Sequence, residues 1–292
     1  MKNVVLLVFL CFEIFCYKKN PINIDNSELK KPYKRILTAN LFSSEIVYYL
    51  GDNAVGKLIG VSALVDDKTF SNTVNHWPSI IKRFNGKFEE LFVLQPDLII
   101  VADFQDIYQK YNLDKYNFNY LLLKPLTGYK NYFENIRLIA AAFQNKPKGE
   151  ELITGFLKKE KRIKNRVKHI KKHKTIVTYI SGYSAGTQTT FNDIAETAGF
   201  INMAAENGFI QHKLLPLEKL ILWNPDIIVL SADKNNLTEA ENQFRKLPGV
   251  GKMSAVNNQG VIAIPMNLLS STDDRMLDVA EILQNRVYLN EK

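Results

Sequence analysis

Cysteine is absent from residues 17–292 of this 292-residue chain, which has only Cys11 and Cys16. This absence excludes a disulfide framework and a cysteine-ligated metal site from the body of the protein. The sequence also lacks a Gly-rich phosphate loop and the ligand spacing of zinc sites, so it gives no motif for a nucleotide-binding or zinc enzyme. After the amino terminus, no hydrophobic run is long enough to cross a bilayer.

Positive charge is in excess, with 38 Lys and Arg against 30 Asp and Glu and a net charge of +8. Much of this excess lies in residues 158–174. The sequence has no aromatic-basic phrase of the kind that binds RNA, and a basic run confined to one helical segment is typical of a solvated helix face. Contact with an acidic surface is the alternative. We therefore expect no nucleic-acid partner, and salt-dependent DNA binding would contradict this expectation.

The first 16 residues have the pattern of an export signal. Lys2 precedes the apolar run 4–10, which is too short to span a bilayer, and a polar stretch begins at Tyr17. A cysteine at the end of such a segment resembles a bacterial lipoprotein signal, with Cys16 or Cys11 as the lipidated residue. We expect a periplasmic or outer-surface location, with membrane attachment only through such an anchor. A buried amino-terminal strand is the alternative.

One phrase occurs twice in the chain. Residues 89–102 and 218–231 each begin with Glu, reach a Pro-Asp pair seven residues later and continue as an apolar run; the offset is 225 − 96 = 129 residues. Each copy predicts a short amphipathic helix, a turn and a buried strand. Two copies about half the chain apart predict two similar lobes, and two lobes predict a ligand cleft between them.

Apolar strands that alternate with helices predict parallel sheets covered on both faces. Ser43 or Ser44 is expected to cap the first helix. Residues 129–173 have helical spacing throughout, with a break expected near 145–148 because of Pro147. The fold class is therefore α/β, with two doubly wound lobes joined by a long backbone helix. The predicted division is a signal segment 1–16, a polar tether 17–32, an amino-terminal lobe 33–126, a connecting helix 127–174 and a carboxyl-terminal lobe 175–292.

Four phrases, in order, resemble the class III periplasmic binding proteins of ABC importers, which deliver ferric siderophores, haem and cobalamin. They are residues 35–51 with 58–62, the doubled phrase, 182–199 with 202–206, and 247–250 with 261–265. The resemblance extends from about Arg35 to Leu289. It implies a non-enzymatic binding protein without a cofactor or resident metal, whose partner is an ABC permease. Nothing in the sequence indicates an oligomer, so we expect a monomer.

The resemblance also implies roles for particular residues. Glu89 and Glu218, seven residues before each Pro, correspond to carboxylates that dock onto permease arginines. The alternative is that each simply favours the positive end of its helix. The ligand is expected at the carboxyl ends of the strands. The expected ligand-binding residues are Asn40, Phe42, Ser43, Asp66, Trp77, Phe104, Tyr183 and Met266.

The aromatic members of this set are expected to form a flat cleft suited to a macrocycle or an iron-catechol complex, with core packing as the alternative for each. Lys68 and Arg275 are candidate cations for a ferric siderophore. A haem would need an axial ligand, for which His76, Tyr183 and Met266 are available.

A bare metal ion is not the expected ligand. The metal-importing relatives place His after the first strands, where this chain has Asn40 and Ser62. The pair His169 and His173 lies in the lysine run, away from the predicted cleft. We therefore expect a ferric siderophore, haem or corrinoid.

A tetrapyrrole chelatase is the alternative function. Its only candidate cluster is His76 with Asp66 or Asp67. The export signal weighs against a cytosolic enzyme of this kind.

Overall fold

The computed structural model describes residue 29 and residues 32–102, 107–271 and 273–289. Residues 107–109 are described by their backbone alone. The predicted signal segment 1–16, most of the predicted tether and Phe104 lie outside the described residues. Within the described ranges, no helix is both long and apolar enough to span a bilayer.

Five parallel strands form the sheet of the amino-terminal lobe: β1 (Ile36–Thr38), β2 (Leu58–Ser62), β3 (Lys82–Phe84), β4 (Leu98–Val101) and β5 (Tyr120–Leu122). Their order is β3-β2-β1-β4-β5. The helices of this lobe are α1 (Leu41–Leu50), α2 (Asp52–Val55), α3 (Glu89–Leu94) and α4 (Ile107–Lys115), and a 3₁₀ turn covers Ala63–Asp66. β1 and β4 are buried along their whole length, as strands of a sheet covered on both faces must be.

Two helices connect the lobes, α5 (Tyr129–Ala142) and α6 (Lys146–Arg166). The helical segment is interrupted at residues 143–145, slightly ahead of the interruption predicted at 145–148. Pro147 lies in the first turn of α6, where its missing N–H and its fixed φ are tolerated, so it starts a helix and does not kink one.

The carboxyl-terminal lobe contains β6 (Thr175–Thr178), β7 (Tyr183–Ala185), β8 (Ile201–Asn202), β9 (His212–Leu214), β10 (Ile227–Ala232) and β11 (Val261–Pro265). Four of these strands form a parallel sheet in the order β11-β10-β6-β8, and β7 pairs antiparallel with β9. The segment after β6 was expected to be a loop, yet it contains β7. The helices are α7 (Thr190–Ala198), α8 (Met203–Glu206), α9 (Leu217–Trp223), α10 (Leu237–Arg245), α11 (Ser254–Asn257), α12 (Met266–Leu269) and α13 (Met276–Gln284), which continues as a π-helical turn at Asn285–Leu289.

The doubled phrase folds in the same way in both lobes. Its first copy is α3 followed by β4, and its second is α9 followed by β10. The Asp97 carboxylate accepts hydrogen bonds from the backbone N–H groups of Lys34 and Arg35, at 2.7 and 3.0 Å. In the second copy, Asp226 accepts one from the Thr175 N–H at 2.8 Å. Each Asp therefore fixes the chain at the start of the first strand of its own lobe.

One hydrophobic core cluster contains residues of both lobes. It contains Ile36 of β1 and Ile176 of β6, and the buried residues Phe156 of α6 and Leu283 of α13 belong to the same cluster. α13 packs against both α6 and α7. The lobes are therefore joined by shared packing as well as by the connecting helices, and this packing restricts any movement of one lobe against the other.

Candidate functional site

The first helix begins directly after β1, at the carboxyl end of the strand. Asn40 caps α1: its side-chain Oδ1 accepts a hydrogen bond from the Ser43 N–H at 2.8 Å. The predicted cap at Ser43 or Ser44 was wrong, because the hydroxyls of both serines donate back to the Asn40 carbonyl oxygen. Asn40 and Ser43 are both buried in this arrangement.

A cleft of about 310 Å³ opens between the lobes at the carboxyl ends of the strands. The amino-terminal lobe contributes the segment after β2, and the carboxyl-terminal lobe contributes the residues that follow β10 and β11. The lining residues are Lys68, Thr69, Ser71, Val74, Asn75, Asp233, Lys234, Met266 and Asn267. The position agrees with the rule that open α/β sheets bind ligands beyond the carboxyl ends of their strands.

Each lobe contributes one lysine to this cleft. Lys68 and Lys234 are both exposed, and neither forms an ion pair with another residue among those described. Asp233 is the only carboxylate in the described lining, and its Oδ1 accepts a hydrogen bond from the Asn235 N–H. Two cations against one anion give the cleft a positive balance, which favours a negatively charged ligand.

A buried polar network lies behind the cleft, with Glu45 of α1 at its centre. The Glu45 Oε1 accepts hydrogen bonds from the backbone N–H of Asn72 at 2.6 Å and from the Ser71 hydroxyl at 3.3 Å. The pKa of Glu45 is raised to about 7, first by burial and then by the nearby Asp273 carboxylate, against the opposing effect of these hydrogen bonds. Glu45 therefore titrates near neutral pH.

Asn72 joins the two lobes within this network. Its Nδ2 donates to the Asn267 carbonyl oxygen at 3.3 Å and to the Ser271 hydroxyl at 3.2 Å, and its Oδ1 accepts from Arg275 at 3.4 Å. The predicted cation Arg275 is thus engaged behind the cleft. Asp273 is buried beside it and accepts a hydrogen bond from the Tyr49 hydroxyl at 2.9 Å. The rear wall of the cleft is therefore held by polar contacts between lobes.

Two of the predicted aromatic ligand contacts lie in the core. Phe42 is 3% exposed and packs against Tyr132, with ring centroids 6.3 Å apart. Trp77 is 6% exposed, and its indole N–H donates to the Thr73 hydroxyl at 2.9 Å. These two side chains do not form the expected flat aromatic cleft, because Phe42 packs against Tyr132 of α5 and Trp77 lies against Tyr48 of α1, with ring centroids 5.7 Å apart.

The other predicted contacts are dispersed. Met266 lines the cleft. Asp66 lies outside its lining and forms an ion pair with Arg83 at 2.6 Å. Tyr183 is half-buried on β7. Since Phe104 lies outside the described residues, the structure brings only Met266 of the predicted set to the described lining.

Glu89 and Glu218 occupy matching places on the surface. Each lies in the first turn of its helix, α3 or α9, and each is exposed. Within the described ranges, neither carboxylate forms an ion pair with this chain. Both are therefore available to a partner.

The cluster suggested for a chelatase does not converge. Asp66 pairs with Arg83, Asp67 accepts a hydrogen bond from the Thr69 N–H, and the His76 ring lies 5.5 Å from the Tyr48 ring. Among the described residues, no group of three or more His, Cys, Asp and Glu side chains is arranged to hold a metal ion.

Sequence reasoning did not identify the buried network or Lys234. Glu45 gives one local signal, a carboxylate inside an apolar helix, but its partners Asn72 and Asp273 are distant in sequence. Lys234 lies two residues beyond the carboxyl end of β10, and that position was the available signal.

Comparisons with known proteins identify relatives over most of the chain. A family model described as periplasmic binding protein matches residues 36–268. Molybdate-binding protein MolA of Haemophilus influenzae is 27% identical over 139 residues, 45% of this chain and 37% of that protein. The match thus spans little more than a third of this curated relative.

Solved structures show the same fold at low identity. A possible iron-binding (periplasmic solute-binding) protein from Staphylococcus epidermidis aligns with a TM-score of 0.74 and 22% identity, covering 88% of this chain and all (100%) of that one. The periplasmic heme-binding protein RhuT from Roseiflexus sp. RS-1 aligns with a TM-score of 0.70 and 21% identity, covering 86% and 96% of the two chains. Because the family model covers most of the chain and the two-lobed fold agrees with it, the chain belongs to the periplasmic binding protein family.

Proposed function

We propose that this protein is the substrate-binding component of an ABC importer and that it captures an anionic ligand between its lobes. The observation that carries the proposal is the pair Lys68 and Lys234, one from each lobe, at the mouth of the cleft. A ligand that contacts both lysines bridges the two lobes. The negative charge of the ligand pairs with these two lysines, which form no ion pair with the described residues. The positive balance of the lining attracts the ligand from solution.

An anionic ferric siderophore is the ligand that we favour. The described lining is mostly polar and contains no aromatic ring, whereas the flat faces of haem or a corrinoid need apolar cover. Of the three side chains considered as axial haem ligands, only Met266 lines the cleft. Hydroxyl and amide groups from Thr69, Ser71 and Asn75 can hydrogen-bond to the oxygen atoms around a chelated ferric ion.

A small oxyanion such as molybdate is the second candidate. The similarity to a molybdate-binding protein over 139 residues supports it. Lysine ammonium groups and neutral hydrogen-bond donors suit a tetrahedral oxyanion as well as a larger anionic complex. Both candidates are negatively charged but they differ in size, so a binding assay separates them.

Delivery of the ligand requires docking on the permease, and we propose Glu89 and Glu218 for this role. Their exposure and their lack of an ion pair within the described chain support the assignment. Exposed carboxylates contribute modestly to affinity but set the register and the rate of encounter. Charge reversal at both positions should abolish uptake and leave ligand binding intact.

Membership of the family implies a periplasmic location. We further propose that the chain is attached to a membrane through a lipid on Cys16 or, alternatively, Cys11. Labelling of producing cells with a fatty-acid analogue tests this, with Cys16→Ser and Cys11→Ser as the two variants. Loss of label in one variant identifies the anchor, and absence of label from the wild-type protein contradicts the proposal.

A ligand panel tests the proposed function. The full protein would be assayed for thermal stabilisation by a ferric catecholate, a ferric hydroxamate, haem, cobalamin and sodium molybdate. A ligand at about 100 times its Kd stabilises the folded state by about 2.7 kcal/mol, which is readily measured. We expect stabilisation by an anionic member of the panel.

Lysine variants test the role of charge. Lys68→Gln and Lys234→Gln should each weaken binding roughly tenfold, which corresponds to about 1.4 kcal/mol. Lys158→Gln, an exposed position on α6, is the matched control and should not change the affinity. If a neutral ligand binds as tightly as the anionic ones, and neither cleft variant weakens its binding, the proposal of an anionic substrate is contradicted.

A further inference from the structure

The most exposed large hydrophobic side chains are not scattered at random over the described surface. Only three of them exceed 80% exposure: Ile80 at 85%, Val93 at 83% and Leu222 at 82%. Val93 and Leu222 are separated by 222 − 93 = 129 residues, which is the offset of the doubled phrase. They are therefore equivalent positions of the two lobes, exposed to the same extent.

The two positions are also presented in the same way. Each lies four residues after the exposed glutamate of its helix, Glu89 or Glu218, and residues four apart share one helix face. The leucine two positions before each of them is buried and anchors the opposite face. Both helices end in a left-handed residue, Gln95 at φ 47° and Asn224 at φ 49°.

Neither side chain packs against this chain's own core. Val93 and Leu222 belong to none of the three hydrophobic clusters of the described residues. A single exposed apolar side chain is ordinary on a protein surface. A matched pair beside a matched pair of unpaired carboxylates is a repeated surface, and a repeated surface fits a partner that presents two copies of one complementary surface.

We propose that Val93 and Leu222 are the apolar anchors through which the two lobes dock onto two like membrane-spanning subunits of an importer, an inference that rests on the proposed function. Each subunit presents a cation for the glutamate and an apolar recess one helical turn away. The carboxylates set the register, and desolvation of Val93 and Leu222 supplies the affinity.

Site-specific photo-crosslinking tests this docking surface in cells that produce the full protein. A photoreactive residue would replace Val93, Leu222 or Ile80 in turn, and the crosslinked peptides would be identified by mass spectrometry. We expect positions 93 and 222 to capture the same peptide, each from one of the two like membrane-spanning importer subunits. Ile80 is equally exposed but lies outside the doubled phrase, so it is the matched control and should not capture that peptide.

Polar replacements test the energetic role. Val93→Thr and Leu222→Asn keep the size of each side chain, and because both are exposed they should fold normally. Each should weaken docking on the purified importer roughly tenfold. Ile80→Asn should have no effect, and ligand-induced thermal stabilisation should be unchanged in all three variants.

Two failures can be told apart. If Glu89→Lys with Glu218→Lys abolishes docking while Val93→Thr and Leu222→Asn leave it intact, the apolar anchors are wrong and the proposed function stands. If the wild-type protein docks on no importer and binds no member of the ligand panel, the proposed function itself fails. Capture of different proteins at positions 93 and 222 would also overturn the inference.

Discussion

The Asn267 side-chain amide donates a hydrogen bond to the Asn72 Oδ1, at 3.1 Å, and this contact joins the two lobes behind the ligand cleft. Asn72 lies on the loop after β2, and Asn267 is in the first turn of α12 directly after β11. The Asn72 amide nitrogen also reaches Ser271 and the Asn267 backbone. The side chain of one residue thus satisfies several polar groups of the opposite lobe.

Removal of this contact should destabilise the protein. Asn72→Leu removes the hydrogen bonds to Asn267, Ser271 and Arg275, and we expect a loss of about 1–3 kcal/mol in the free energy of unfolding. Urea denaturation measures this loss. Asn258→Leu is the control, because Asn258 is exposed and its hydrogen bond is local, to Ser254. An equal loss in both variants would contradict the role of Asn72.

Glu45 should make stability depend on pH. Its pKa is about 7 in the folded protein and 4.5 as the reference for the unfolded chain, so the folded state holds the proton more tightly. The contribution of this group is therefore fully present below pH 4.5 and is lost as the pH rises to about 7. The loss is about 3 kcal/mol.

Glu45→Gln should remove this dependence, since the glutamine oxygen can still accept the hydrogen bonds from Asn72 and Ser71. Urea unfolding at several pH values between 4.5 and 8 measures the slope for both proteins. Glu150→Gln is the control: the ion pair with Arg137 lowers the pKa of this exposed carboxyl, so its removal should not flatten the slope. An unchanged slope in Glu45→Gln would show that another group titrates.

Gly186 allows the chain after β7 to pass close to a neighbouring segment. A Cβ at this position would lie 2.0 Å from the Phe209 carbonyl oxygen, which is backbone and cannot move aside. Gly186→Ala should cost about 1–3 kcal/mol of stability or prevent folding. Gly251→Ala is the control, because a Cβ there meets nothing within 4 Å. Equal melting temperatures for the two variants would contradict this account.

The equivalent roles of Asp97 and Asp226 predict equivalent effects. Replacement of either by Ala removes a charged acceptor from backbone N–H groups at the start of a first strand. We expect a loss of about 1–2 kcal/mol in the free energy of unfolding for each, since both groups are partly exposed. Asp97→Asn and Asp226→Asn keep one acceptor oxygen and should lose less. Denaturation of the four variants compares the lobes directly.

The repeat made much of the fold predictable. The apolar runs after each Pro-Asp pair became β4 and β10, because a strand buried on both faces needs no polar alternation. β3 could not be predicted, since it has three residues and two of them are charged. The resemblance to periplasmic binding proteins is confirmed over residues 36–268. The domain boundaries at 126 and 174 stay predictions.

The candidate site was less accessible to sequence reasoning. Strand ends correctly placed Met266 and the segment that contains Lys68 at the cleft. The direction of an aromatic side chain depends on which helix covers it, so Phe42 and Trp77 could not be assigned to core or cleft. The network of Glu45, Asn72 and Asp273 joins residues more than 200 positions apart and has no local pattern beyond a buried charge. The part of Met266, Asn40 and the other predicted contacts in ligand binding stays a prediction.

The core shared by Ile36 and Ile176 has a thermodynamic consequence for ligand exchange. Swinging the lobes apart would expose that core to water, so we expect the ligand-bound protein to keep nearly the shape of the free one. Little binding energy is then lost to reorganisation, and the radius of gyration should hardly change when the ligand binds. A body that cannot open widely also has little elastic energy with which to expel a tightly held ligand. The work of extraction must therefore come from outside the chain.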